Sequence, residues 1–226
     1  MPYFGGKSLS GIYQKLINMI PPHNIYIEPF LGGGAVMKFK KPAIESIGID
    51  ADEHVVKEFE CEALPRVYCT DALHWLNTHS FPPDAFIYLD PPYPMETRTC
   101  QRPAYRYEFT DEQHKQLLGI IKTLDCMVMI SSYMNELYAE ELKDWRLVTF
   151  SSRKRNHEKS TECVWMNYPE PIELHDYRYL GETFRDRQNL KRKGQRWKER
   201  LANMNALERY ALMNVIGDLK LANIGK

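Results

Sequence analysis

The chain has 226 residues, 43% of them hydrophobic and 27% charged, which is ordinary for a folded protein with material for a sizeable core. No run of about 18 apolar residues occurs, which speaks against a transmembrane helix, and MPYFGGKSLSG lacks the charged-then-apolar order of a secretory signal, so a cytoplasmic protein is expected. Lys plus Arg and Asp plus Glu both number 30, but residues 1–177 carry 18 bases against 25 acids, while residues 178–200 carry nine against three. That division suggests an acidic body over 1–177 and a basic extension over 178–226. The cysteines are five, odd in number and scattered, with no CxxC pair or Cys/His spacing, so neither a disulfide framework nor a metal is expected.

Along the chain, Ser8 can cap a helix through about Ile20, with Ile12, Leu16, Ile17 and Ile20 on one face. Asn24–Phe30 reads as a strand, followed by the glycine loop LGGGAV and a short helix. Glu45–Asp50 is a second strand, then a helix from about Asp52. Arg66–Thr70 is a third strand, with a helical turn after Asp71, and Ala85–Asp90 is a fourth. Thr110 can cap a helix carrying Leu117, Leu118 and Ile121. Cys126–Ser132 follows as an apolar strand, then a short helix near Asn135–Leu142. Arg146–Ser151 and Glu162–Tyr168, separated by SRKRNHEKST, suit a hairpin. The alternation predicts an α/β, Rossmann-like fold: a mostly parallel sheet with helices on both faces and an antiparallel hairpin at one edge. From about Glu182 to Leu221 the apolar residues recur at helical spacing, and Asn205 with Glu208 resembles a capping box starting a second helix.

In parallel sheets of this kind ligands bind beyond the carboxyl ends of the strands. Four predicted strands end there on acids: Glu28 before Gly32-Gly33-Gly34, Asp50, Asp71 and Asp90. One such acid is as readily a helix cap, but four in succession suggest an adenosine-type ligand with hydroxyl and amino donors. The glycines have neither dinucleotide nor P-loop spacing. An acid just before them would repel a pyrophosphate, so a ligand with a cationic centre fits better.

The stretch FIYLDPPYP carries the strongest signal. Pro91 and Pro92 fix φ and extend the residues before them, leaving carbonyls free to face a pocket. Asp90 and one such carbonyl form a pair of acceptors suited to an exocyclic NH2 group, and Tyr93 offers a ring for stacking. The plainer reading is a proline-rich strand terminator with a surface tyrosine.

PYFGGKS, YIEPFLGGGAV, GID, CTDA and DPPY, in that order, resemble the Dam-like α class of DNA adenine-N6 methyltransferases over residues 1 to about 168. The basic tail is similar to the C-terminal extension of phage and prophage members. The resemblance implies S-adenosyl-L-methionine bound by Tyr3, Phe4, Gly5, Gly6 and Lys7, by Glu28, Pro29, Phe30, Gly32 and Gly34, and by Asp50, Asp71 and Ala72. Lys7 would meet the ligand's carboxylate, Asp50 the ribose hydroxyls and Asp71 the adenine edge. The target adenine would be flipped from the duplex, stack on Tyr93 and donate to Asp90 and the Pro91 carbonyl, with Pro92 completing the motif.

Family members carry a target-recognition insert before DPPY, but here only 18 residues separate Asp71 from Asp90, so short or relaxed sequence specificity is expected. Arg98, Arg102, Arg106, Arg153, Lys154, Arg155, Lys191, Arg192 and Lys193 are the candidates for DNA phosphates. No membrane or obligatory protein partner is expected. An RNA adenine or guanine amino-methyltransferase, or an idle nucleic-acid-binding protein, are the alternatives.

Overall fold

Seven strands, β1 (Ile25–Glu28), β2 (Glu45–Asp50), β3 (Arg66–Cys69), β4 (Ala85–Leu89), β5 (Met127–Tyr133), β6 (Arg146–Arg153) and β7 (Lys159–Met166), form one sheet ordered β3-β2-β1-β4-β5-β7-β6. The computed structural model describes residues 7, 11–98, 106–153 and 159–222. The first five strands of that order run parallel, and β7 lies antiparallel to both β5 and β6. The expected α/β architecture with an antiparallel hairpin edge is therefore present.

The two-residue period of each strand sorts its side chains between two faces. Every residue of β4, Ala-Phe-Ile-Tyr-Leu, is buried, as a central strand covered on both sides requires. Ile27, Ile49, Ile87, Leu89, Val128, Ile130 and Trp165 share one core with residues of α4 (Ala72–Thr78), α5 (Asp111–Ile121) and α6 (Glu136–Glu141). Tyr26 and Phe86 alternate to the opposite face, where their rings stack at 6.1 Å between centroids. On that side Glu28 accepts from the Met37 N–H of α2 (Ala35–Phe39) at 3.2 Å.

Local chemistry sets the helix starts. Asp52 caps α3 (Glu53–Glu58) by accepting from His54 N, Asp71 caps α4 through His74 N, and Asn135 caps α6 through Tyr138 N. Thr110 and Gln113 form a complete capping box on α5. One start differs from expectation: α1 spans Ile12–Ile17 with Gly11 in a left-handed conformation at its N-cap, and Ser8 lies outside the described residues. The helix ends before Ile20 because Pro21 and Pro22 forbid continuation.

The chain divides into two compact units, Met1–Tyr177 and Arg178–Lys226. The second contains α7 (Phe184–Asn203), started by a capping box of Thr183 and Asp186, and α8 (Ala206–Ala222), started by Asn205 accepting from Glu208 N at 2.9 Å. Among the described residues no helix is long and apolar enough to cross a membrane.

Candidate active site

The strand order turns between β1 and β4, so the connections leaving these neighbours diverge and a crevice opens at their carboxyl ends. A cavity of about 170 Å³ lies there. It is lined by Lys7, Glu28 through Val36, Asp50 through Asp52, Asp71, Ala72, Asp90, Pro92, Arg106 through Phe109 and Gln113. All four strand-end acids named from the sequence thus border one space. Asp50, Asp52, Asp71, Asp90 and Glu108 outnumber Lys7 and Arg106 even without the buried Glu28 carboxyl, which gives the cavity an acidic wall suited to a cationic ligand.

Each wall has a local cause. Gly32 and Gly34 both take positive φ, 45° and 56°, a conformation that costs glycine little. A side chain on Gly34 would also collide with Phe59, whose ring carbon lies 2.3 Å from where a Cβ would stand. The loop is tied to the neighbouring strand twice. Leu31 N donates to Ile49 O at 2.9 Å, and Gly32 N donates to Asp50 Oδ2 at 2.8 Å. Asp50 Oδ1 accepts from Asp52 N at 2.9 Å. Burial raises the Asp50 carboxyl above the usual range despite these bonds.

Glu28 is 3% exposed and accepts from Tyr26 OH at 3.0 Å as well as from Met37 N. Burial pushes it up to about 8, with the Asp90 charge adding to the rise. Asp71 is spent as the cap of α4, accepting from His74 N at 2.8 Å, yet it still borders the cavity.

Around Asp90 the arrangement departs from expectation. Lys7, expected to meet a ligand's carboxylate, meets two carboxylates of the protein: its Nζ is 2.9 Å from Asp90 Oδ1 and 2.8 Å from Glu162 Oε1. It also donates to Tyr93 OH at 2.5 Å and lies 4.5 Å from the centre of that ring. Burial disfavours the ammonium, but Asp90 and Glu162 outweigh it and hold Lys7 well above the ordinary lysine range. Tyr93 donates in turn to Glu162, and its ring packs edge-on against Tyr133 with centroids 4.7 Å apart. Expected as an open stacking surface, Tyr93 is 8% exposed and does not line the cavity; of its motif, Asp90 and Pro92 do, while Pro91 is buried. Ser131 Oγ completes the shell, donating to Asp90 Oδ1 at 3.1 Å with Tyr88 OH 2.9 Å away.

One expected phosphate contact is committed elsewhere. Arg98 is largely buried, donating from Nε to the Tyr93 carbonyl at 2.7 Å and pairing with Glu108 at 2.7 Å, so it braces the DPPY segment and is removed from the phosphate set. Arg106 pairs with Asp52 Oδ1 at 3.2 Å, both lining the cavity, and keeps most of its side chain exposed. Lys191, Arg192 and Lys193 are exposed on α7. Tyr3, Phe4, Gly5, Gly6, Arg102, Lys154 and Arg155 lie outside the described residues, as does the side chain of Arg153.

No family model matches the chain, and no curated protein matches it. Solved structures do. A precorrin-8w decarboxylase from Methanobacterium thermoautotrophicum is 10% identical with a TM-score of 0.49, covering 74% of this chain and 94% of its own. A dimethyladenosine transferase from Plasmodium falciparum is 15% identical with a TM-score of 0.46, over 69% of this chain and 60% of its own. An rRNA methylase from Streptococcus thermophilus is 11% identical with a TM-score of 0.43, over 72% and 96%.

Sequence reasoning missed Glu162 and Ser131 and did not place Asp52 or Tyr107–Phe109 in the cavity wall, and it read Arg106 only as a phosphate contact. For Glu162 there was a signal, a single acid opening the otherwise apolar run ECVWM of β7. Its buried partner could not be named without the β4-β5-β7 order, which brings residues 90 and 162 together. Among the described residues no group of acids, histidines and cysteines could hold a metal ion.

Proposed function

We propose that the protein is an S-adenosyl-L-methionine-dependent methyltransferase acting on the N6 amino group of adenine in DNA, of the Dam-like, phage or prophage type. The observation that carries this reading is Asp90. It stands at the end of a fully buried strand, lines the same cavity as the glycine loop and the other strand-end acids, and keeps 19% of its side chain exposed.

The donor set fits the cofactor. A glycine loop with no side chains at Gly32, Gly33 and Gly34 lets a ligand approach the backbone, and the acidic wall suits a sulfonium. Glu28, Phe30, Gly32 and Gly34 would hold its methionine end, Asp50 its ribose and Asp71 with Ala72 its adenine. Bound S-adenosyl-L-methionine supplies an electrophilic methyl group. The protein's own part is to make an amino nitrogen able to attack. Asp90 and a carbonyl of the proline pair accept the two N–H bonds, which favours a pyramidal nitrogen whose lone pair is withdrawn from the ring. As the nitrogen becomes positive, the fixed carboxylate of Asp90 is matched to it. The adenine must leave the helix to reach this position. The exposed bases of α7 would hold the phosphates, and no target-recognition insert precedes DPPY, which supports short or relaxed sequence preference.

Incubation with labelled S-adenosyl-L-methionine and either duplex DNA or structured RNA, followed by nucleoside analysis, tests the reading. N6-methyladenine from DNA supports it; methylation of RNA alone moves the assignment to an RNA amino-methyltransferase; no methylated nucleoside from either overturns it.

A further inference from the structure

We propose that Glu162 is a positioning residue for the target amine: it retains the Lys7 ammonium so that Asp90 can exchange that ammonium for the amino group to be methylated. The inference rests on the reading of Asp90 as acceptor.

Lys7 has three N–H donors, and three groups receive them: Asp90 at 2.9 Å, Glu162 at 2.8 Å and the Tyr93 hydroxyl at 2.5 Å. One ammonium therefore serves two carboxylates, in a setting where Lys7 and Glu162 are only 7% and 3% exposed. A structural ion pair would need one carboxylate, and an unmatched buried charge is costly. The surplus negative charge has a use if a positive charge is to develop beside it. Lys7 also occupies Asp90 Oδ1, one of the acceptors that the amine requires. For the amine to enter, Lys7 must give up one bond of three, and Glu162 and Tyr93 keep the other two.

Position supports this division. Glu162 reaches the cluster from β7, opposite Tyr133 of β5 in the register, while Asp90 follows β4 on the far side of β5. Tyr133 also packs against Tyr93. Glu162 is thus anchored in a sheet strand and independent of the loop that carries Asp90 and Pro92. It can hold Lys7 still while the amine binds.

Glu162→Gln keeps an acceptor for the Tyr93 hydroxyl and removes the charge, which leaves Asp90 as the sole carboxylate for Lys7. The target amine then competes with a more tightly held ammonium. In the full-length protein, KM for duplex DNA should rise about tenfold, while calorimetric affinity for S-adenosyl-L-methionine changes less than about twofold. The acid limb of kcat/KM should move to lower pH, because Asp90 loses a like-charged neighbour. In a Lys7→Met background, where no ammonium competes, the same substitution should raise KM less than about twofold. An unchanged DNA KM, an unmoved acid limb or a full effect in the Lys7→Met background would overturn the proposal. So would joint loss of cofactor binding and activity, which would make Glu162 a structural strut. A wild-type protein that methylates nothing would instead sink the reading of the site itself.

Discussion

The backbone N–H of Gly32 donates to the side chain of Asp50 at 2.8 Å, joining the loop after β1 to the acid that ends β2. Asp50 therefore shapes the glycine loop before any ligand arrives. Asp50→Ala leaves Gly32 N and Asp52 N without their acceptor and should lower unfolding free energy by about 1–3 kcal/mol in urea titrations. The same variant should bind S-adenosyl-L-methionine at least about tenfold more weakly by calorimetry, since a charge-assisted contact is worth that much or more. Unchanged stability would show that the loop is held by Leu31 and Ile49 alone.

Glu28 makes cofactor binding depend on pH. Its folded value of about 8 lies above the ordinary 4.5, so at neutral pH it is largely protonated. A cationic centre placed beside it favours the charged form and expels the proton. Calorimetry in buffers of different ionisation enthalpy should therefore show proton release on binding near pH 7, and affinity should rise as pH increases toward 8. The stability effect has the opposite sign. The folded state holds a proton that the unfolded chain has lost, so ionisation of Glu28 costs stability as pH rises from about 4.5 through 8. Glu28→Gln should remove that decline, with a higher Tm than wild type at pH 9. No difference in the pH profiles would refute the assignment.

Acid should unfold the protein partly through two buried histidines. His114 donates to or accepts from Tyr138 OH at 2.9 Å and is pushed down to about 4 by burial, while His23, stacked on His175, is pushed down to about 3. Both are neutral in the fold and charge readily once unfolded, so their contribution is full above pH 6.5 and is lost as pH falls toward 4 and 3. The His114→Gln variant should show a shallower fall in unfolding free energy between pH 6 and pH 4, by up to about 1.4 kcal/mol per pH unit. Parallel curves for the two proteins would contradict this.

If α7 contacts phosphates, DNA affinity should fall steeply with salt. Replacing Lys191, Arg192 and Lys193 with Gln should reduce the slope of log K against log salt by about 2–3, close to one unit per lost contact. An unchanged slope would place these bases on a merely solvated helix face.

Much of this arrangement is legible in the sequence. Strand-end acids Glu28 and Asp90 are visible because a buried strand ends abruptly on a charge, Asp50 and Asp71 because an acid closes a short strand-like run, and caps such as Asp71 and Thr110 follow from local hydrogen bonding. What escaped was set by distance in sequence. Arg98 reads as a free base until the chain folds it back onto the Tyr93 carbonyl. Tyr93 reads as an exposed ring until β5 and β7 supply Tyr133 and Glu162 beside it. Lys7 has its partners 83 and 155 residues away, a pairing that only the sheet order discloses.

The most direct test of the account compares wild type with Asp90→Ala in methylation of duplex DNA. Wild type should form N6-methyladenine, and Asp90→Ala should lose on the order of 100-fold or more in kcat, the scale for removing one preorganised group that faces developing charge. Full activity in Asp90→Ala, or the absence of N6-methyladenine from wild-type reactions, would contradict the account.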